Sequence, residues 1–347
     1  MPGFSSFSLA VNIAVFAVAA GIVGYAGTKI AKYADAISER TGLGEAVIGL
    51  FLLAGVTSLP EIATSFTAAS SGNAPLAVNN LLGSIAMQIA VLAVGDLVYG
   101  KRALTSIVPD PVVILQGALN VVLLSVVAFA VMIGDVSVLF AGAWTWGLLV
   151  AAIYSFYKLA EGRGREPWVP NDEDHEQLHG LSMPGTDDGN VVLGVKTVAS
   201  ALAILIAGFI VSRAGETISV QSGLGSSFMG VAFVAIATSL PELSTVFAAM
   251  RRNLYTMAIS DILGTNILNI SLLLGVDAVS PGGPVLDRVG VFAAAVALLG
   301  VVLTGLFLVG LAERRDRTVW RMGVDSLLVL VCYAGGLAFL FMMRCEG

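Results

Sequence analysis

The sequence predicts an all-α polytopic membrane protein with ten transmembrane helices arranged as two inverted five-helix repeats. Three observations predict it: the composition, ten apolar stretches of spanning length, and a motif region that recurs in one register 181 residues further on, from Glu61 to Glu242. Of the 347 residues, 57% are hydrophobic and only 12% charged, and the mean hydropathy is +0.90. A soluble domain covers itself with roughly a quarter charged residues. Half that supply leaves an outer surface that must face lipid. The 39 glycines suit helices that pack closely in a bilayer. The formal net charge of −6 says little, because several acids sit in one loop and others within apolar spans.

A hydrocarbon core about 30 Å thick needs about 20 apolar residues per helix. Such stretches lie near 8–34, 43–70, 75–99, 109–133, 137–159, 191–219, 225–250, 255–279, 287–311 and 320–343. The first lacks a basic leading segment and a clear small-residue cleavage site, so it reads as a retained span. Between the fifth and sixth lies the one long polar segment, Glu161–Asn190, with its run Asn171-Asp172-Glu173-Asp174-His175-Glu176. It reads as a solvated linker, dividing the chain into a first repeat (1–160), a polar linker (161–190) and a second repeat (191–347). Cys332 and Cys345 have no metal-ligand spacing and read as apolar filler.

Lys and Arg placement sets the orientation. With the N-terminus outside, fifteen of the 18 basic residues fall on the cytoplasmic side, leaving only Arg213, Arg288 and Arg344 outside. The expected location is therefore the cell membrane (inner or plasma), multi-pass, with the N-terminus external and the 161–190 loop cytoplasmic.

The internal repeat is gapless well beyond its most similar part. Thr57-Ser58-Leu59-Pro60-Glu61 falls on Thr238-Ser239-Leu240-Pro241-Glu242, Gly42-Leu43-Gly44 on Gly223-Leu224-Gly225, and Gly83-Ser84 on Gly264-Thr265. Gln88 falls on Asn269, Asp96 on Asp277, Lys32 on Arg213 and Asp35 on Glu216. Five spans per copy is an odd number, so the second copy enters the membrane upside down. Such units place a substrate site near mid-bilayer, at their interface.

The Thr-Ser-Leu-Pro-Glu motif is costly inside an apolar span. Each proline removes an N–H and frees the carbonyl four residues back, that of Val56 in one copy and Ala237 in the other. A free carbonyl at membrane depth must be buried in protein or line a wet cavity. The adjacent carboxylate costs at least ~2.5 kcal/mol at mid-membrane on insertion scales. Thr57 and Thr238 lie one turn before Glu61 and Glu242, on the same face. Each copy thus presents carboxylate, hydroxyl and carbonyl oxygens, the donors hard cations such as Ca²⁺ and Na⁺ take. Two glutamates meeting at a pseudo-two-fold axis would repel without a cation or a shared proton between them. A single motif of this kind could be a structural kink; two copies argue for a cation site. Gly83-Ser84 and Gly264-Thr265 look like points of relaxed helix continuity, with Gln88 and Asn269 offering amide oxygens about a turn later. Asp96 and Asp277 suit a structural or interfacial role near the mouths, and Lys32/Asp35 and Arg213/Glu216 suit surface ion pairs.

These paired motifs, each followed by a Gly-Ser or Gly-Thr span, resemble the cation/Ca²⁺ exchanger superfamily, and within it prokaryotic Na⁺/Ca²⁺ exchangers. The resemblance implies alternating access, in which the first helices of the two halves slide past a fixed core. It also implies Glu61 and Glu242 as central ligands, with Thr57, Thr238, Ser84 and Thr265 at flanking sites. The carbonyls of Ala54 and Ala235 would contribute, and Gln88 and Asn269 fall where the family usually has Asn or Asp. The chain departs from the pattern at Ile85, where Gly-Ser-Asn is expected, and at Gln88, one methylene longer than Asn. The Gly-Asn before the span reads Asn79-Asn80 and Ser260-Asp261. With Gln88 and Asn269 neutral, no third carboxylate is expected in the central group.

The expected function is a secondary active antiporter exchanging Ca²⁺ for Na⁺; H⁺ coupling or another divalent cargo in the same fold is the alternative, and a cation channel a remote one. An intramembrane enzyme lacks support, since the only histidines, His175 and His179, lie in the polar loop. Inorganic cations and the bilayer are the expected partners. Nothing points to a resident cofactor, a nucleic acid or an obligate protein partner.

Overall fold

The computed structural model describes residues 4–41, 54–99, 103–108, 111–162, 189–251, 255–313, 316, 318–319 and 322–343. Its helices are α1 (Leu9–Thr41), α2 (Ala54–Thr57), α3 (Leu59–Ser70), α4 (Ala74–Tyr99), α5 (Leu104–Ile107), α6 (Pro111–Ile133) and α7 (Ala143–Gly162) in the first half. The second half holds α8 (Asn190–Ser222), α9 (Ser226–Met229), a π-helical turn (Gly230–Val234), α10 (Ala235–Thr238), α11 (Leu240–Arg251), α12 (Tyr255–Val279), α13 (Gly290–Glu313) and α14 (Val324–Met343). Two short antiparallel hairpins complete it: β1 (Ser137–Val138) with β2 (Ala141–Gly142), and β3 (Thr318–Val319) with β4 (Met322–Gly323).

The same 181-residue step that relates Glu61 to Glu242 carries α1 onto α8, α3 onto α11, α7 onto α14 and one hairpin onto the other, residue for residue. Packing repeats with the sequence. Helix α1 lies along α8 and against α11, while α8 lies along α1 and against α3. Helices α4 and α12 pack on each other, as do α6 and α13; α7 leans on α12 as α14 leans on α4. Exchanging the halves leaves this neighbour scheme intact, as a pseudo-two-fold axis between two inverted repeats requires.

Polarity is arranged as lipid demands. Large apolar side chains face outward, among them Val191 (81% exposed), Met132 (70%) and Met342 (67%), whereas Asn, Thr and Glu side chains fill the interior. Among the described residues, seven helices are long and apolar enough to cross a membrane, or eight counting the pair Ser226–Thr238 and Leu240–Arg251, bent by 50°. Two of the ten expected spans stand outside that group. Helix α7 has 20 residues but carries Trp144, Trp146, Tyr154 and Tyr157, and the bent span of the first half begins outside the described residues. Helices α1 and α8 have 33 residues each, longer than the sequence reading gave them. At 1.5 Å per residue that is ~50 Å, well beyond a hydrocarbon core of ~30 Å, so both must tilt or project.

The expectation of relaxed helices at Gly83 and Gly264 is corrected. Helices α4 and α12 run unbroken through both points. Gly83 serves close approach instead: a Cβ there would stand 2.6 Å from the Val231 Cα and 2.8 Å from its carbonyl oxygen. The missing side chain lets the π-helical turn lie directly on α4. Of the anticipated ion pairs, Arg213–Glu216 forms at 2.9 Å on the surface of α8; the Asp35 side chain lies outside the described set, as do Cys345 and most of the polar linker.

Candidate cation site

The site begins with two broken helices. Proline cannot continue the hydrogen-bond ladder but is well tolerated in a helix's first turn. The chain uses both facts. Helix α2 stops at Thr57, Ser58 takes non-helical dihedrals (φ −77°, ψ 2°), and α3 starts with Pro60 in its first turn. The second half repeats this, with α10 ending at Thr238, Ser239 at φ −89°, ψ 13°, and Pro241 opening α11. Each glutamate therefore sits in the first turn of a half-helix, where the backbone amides and dipole favour negative charge.

Glu61, Glu242, Thr57, Thr238, Ser84, Thr265, Gln88 and Asn269 are all fully buried. The two breaks meet. Ser239 Oγ donates to Glu61 Oε1 at 2.9 Å, from one motif to the other across 178 positions of sequence. The Thr238 hydroxyl faces Asn80 Oδ1 at 3.2 Å, tying the second break to α4 one turn before Ser84. Asn80 in turn donates to Ser65 Oγ at 2.9 Å. Thr57 stands beside Glu242 as Thr238 stands beside Glu61, and the two carboxylates lie within Coulombic reach of each other.

Among the described residues, many buried polar atoms here have no hydrogen-bond partner. They include Glu61 Oε2, both Glu242 oxygens, Ser84 Oγ, Thr265 Oγ1 and the amide groups of Gln88 and Asn269. Interiors almost always pair such groups. Oxygen atoms dominate this set, and hard cations take oxygen. No three Asp, Glu, His or Cys side chains among the described residues converge closely enough to form a metal site alone, so a cation here would draw on hydroxyl and amide oxygens as well as carboxylates. Ala235 is buried, but its carbonyl already accepts from Ser239 N (3.1 Å) and the Thr238 hydroxyl (3.3 Å). Ala54 opens α2, and its side chain lies outside the described set.

Sequence reasoning passed over Ser239, although the motif repeats it, and gave no warning of the π-helical turn at Gly230–Val234. Gly230 was the available hint: a Cβ there would sit 2.9 Å from the Leu76 carbonyl oxygen. Such turns often accompany functional sites. Gln88 and Asn269 are neutral, and the nearest further carboxylate named beside the pair is Asp261, within Coulombic reach of Glu242.

Residues 11–160 and 193–342 both match the family described as sodium/calcium exchanger protein, one match to each repeat. The chain belongs to that family. It is a multi-pass membrane transporter of an antiporter family whose members move inorganic cations, and the family is not one of enzymes. Among its relatives, inner membrane protein YrbG of Escherichia coli K12 is 29% identical over 75% of this chain and 78% of its own length. Sodium/calcium exchanger MaX1 of Methanosarcina acetivorans is 24% identical over 70% of this chain and 76% of its own. The fold matches solved structures of the sodium-calcium exchanger NCX_Mj; one, soaked with 100 mM Na⁺ and 10 mM Sr²⁺, gives a TM-score of 0.59 at 20% identity, over 95% of this chain and 99% of the other.

Proposed function

We propose that this exchanger-family protein is a secondary active antiporter that exchanges Ca²⁺ for Na⁺ at a site centred on Glu61 and Glu242. Thr57, Thr238, Ser84, Thr265, Gln88 and Asn269 supply the surrounding oxygens. The observation that carries the reading is the contact between the motifs, Ser239 Oγ on Glu61 Oε1 at 2.9 Å, beside the fully buried Glu242 carboxylate. Two buried carboxylates supply charge −2, which one Ca²⁺ or two monovalent ions neutralise. Ions that compete for one charge-balanced site cannot occupy it together, and that exclusion is the physical basis of exchange. The name of relative MaX1, a sodium/calcium exchanger, agrees with this cargo.

The asymmetry of packing supports alternating access. Helices α1 and α8 lie against each other outside the bundle and touch the core chiefly at α3 and α11, so they can shift as a pair while α4 and α12 stay fixed. The excess of Lys and Arg on one side supports an external N-terminus and a cytoplasmic 161–190 linker, in a cell-membrane protein.

The test uses purified protein in liposomes. Glu61→Gln and Glu242→Gln should each abolish ⁴⁵Ca²⁺ uptake driven by a Na⁺ gradient; normal uptake in both would end the proposal. A second reading, H⁺-coupled exchange in the same fold, is favoured by the neutral pair Gln88 and Asn269. Uptake that survives collapse of the Na⁺ gradient but follows ΔpH would select it.

A further inference from the structure

The two halves differ at one position beside the site, and the difference is a charge. In the first half Asn80 is satisfied, donating to Ser65 Oγ at 2.9 Å and facing the Thr238 hydroxyl at 3.2 Å through its own oxygen. The repeat step carries Asn80 onto Asp261 and Ser65 onto Val246, which has no hydroxyl. Asp261 thus keeps a carboxylate where its counterpart has an amide, and has lost the partner that Ser65 supplies. Among the described residues its one hydrogen bond comes from Thr245 Oγ1 at 3.2 Å. Thr245 lies one turn after Glu242, and its hydroxyl is also 2.9 Å from the Glu242 carbonyl oxygen.

A second observation points to a ligand. Thr265 lies four residues after Asp261 and Asn269 four further, spacings that put all three near one face of α12. Thr265 Oγ1 and both Asn269 amide atoms are fully buried and unpartnered among the described residues. Asp261 itself is only part-buried, so it stands at the edge of the site, on the side where α12 begins. The chain there presents one negative charge, two threonine hydroxyls and an amide.

We propose that Asp261, with Thr245 and Thr265, forms a binding station for a monovalent metal cation of the Na⁺ class, next to the central pair and present in the second half only. A single carboxylate balances a single positive charge, whereas a divalent ion at this station would keep an uncompensated charge in a weakly polar surrounding. The proposal rests on the reading that Glu61 and Glu242 bind the exchanged ions, and it adds to it. Bound Na⁺ at Asp261 would let the protein count one more monovalent ion per cycle than two glutamates can neutralise.

The test compares wild type, Asp261→Asn and Asp261→Glu in liposomes, each first checked for a monodisperse elution profile. Losing a charge-assisted contact should raise the Na⁺ concentration for half-maximal inhibition of ⁴⁵Ca²⁺ uptake by about tenfold. The Hill coefficient for Na⁺ should fall by about one, and half-saturation by Ca²⁺ should move by less than about threefold. Asp261→Glu should recover much of the Na⁺ response. An unchanged Na⁺ dependence in a transporting Asp261→Asn protein would overturn the proposal, and so would an equal loss for Na⁺ and Ca²⁺, which would place Asp261 in the shared site. Direct Na⁺ titration of the purified protein by calorimetry gives a readout without transport: one fewer Na⁺ bound in Asp261→Asn is expected, and an equal count refutes the station. Failure of the central reading looks different, since Glu61→Gln and Glu242→Gln would then transport normally whatever Asp261 does.

Discussion

Ser239 Oγ reaches Glu61 Oε1 at 2.9 Å, whereas its counterpart Ser58 has a buried hydroxyl with no partner among the described residues. The pseudo-two-fold relation is therefore broken at the centre of the site, in hydrogen bonding if not in sequence. A hydrogen bond to a charged group is worth about 1.5–3 kcal/mol, so Ser239→Ala should raise the Ca²⁺ half-saturation of ⁴⁵Ca²⁺ uptake by about 10- to 100-fold. Ser58→Ala should cost much less. Equal effects of the two substitutions would show that the asymmetry has no bearing on binding.

Helices α1 and α8, the pair proposed to slide, meet the core through glycine. A Cβ on Gly27 of α1 would lie 2.1 Å from Pro241 Cγ, and one on Gly208 of α8 would lie 2.7 Å from the Ala63 Cβ. The two glycines are related by the repeat step, and each bears on the half-helix that carries the opposite half's glutamate. Thr64 Oγ1 adds a hydrogen bond to the Gly208 carbonyl at 3.2 Å. Overpacking costs about 1–3 kcal/mol, and here it would fall on the contact that the proposed mechanism requires to move. Gly27→Ala and Gly208→Ala should slow maximal exchange by about tenfold while leaving equilibrium Ca²⁺ binding within about threefold. Gly21→Ala and Gly194→Ala, where nothing lies within 4 Å of a new Cβ, should exchange at the wild-type rate. A normal rate for Gly27→Ala would mean that α1 does not slide on α11.

Asp277 and Asp96 stitch each half to the other. Asp277 Oδ2 accepts from Gly142 N at 2.7 Å and Thr145 Oγ1 at 2.8 Å, both in the first half, while Oδ1 takes Val285 N at 2.8 Å in its own half. Asp96 does the mirror task, taking Leu104 N at 2.9 Å and Gly323 N at 2.8 Å. An amide in place of either carboxylate turns one acceptor oxygen into a donor facing buried donors. Asp277→Asn and Asp96→Asn should each destabilise by about 2–4 kcal/mol, read as a lower unfolding temperature in detergent. Wild-type stability in both would remove the stitches from the account.

Those stitches show what a sequence can and cannot carry. Their structural role was foreseeable, because an aspartate near the end of an apolar helix needs partners, and the 181-residue step predicted that there would be two. Their partners were not foreseeable: Gly142 and Gly323 contribute only a backbone N–H from a short hairpin strand, which has no side-chain signature. The spans and the Thr-Ser-Leu-Pro-Glu breaks were legible because proline and buried charge in hydrocarbon are costly enough to demand a reason. Gly83 was misread for an equally physical cause. Glycine loosens a helix and also lets another backbone approach, and only the position of Val231 decides between the two. Asp261 was visible as a departure from the pattern, but its reach to Glu242 depends on how α11 packs on α12.

Buried charge also sets how ligand and stability should trade. Glu242 is fully buried and shares its surroundings with Glu61 and Asp261. Such uncompensated charge weakens the empty protein, and replacing it by a neutral isostere is often neutral or stabilising. Glu242→Gln should therefore unfold, in Ca²⁺-free and Na⁺-free buffer, at a temperature equal to or above that of wild type. A ligand that binds only the folded state at 100 times its Kd adds about 2.7 kcal/mol. Saturating Ca²⁺ should accordingly raise the wild-type unfolding temperature by several degrees and leave Glu242→Gln nearly unmoved, with Glu61→Gln alike. The sign is the discriminating feature: a glutamate serving only as a structural hydrogen-bond acceptor would lower the melting temperature when replaced and would leave the Ca²⁺ response intact.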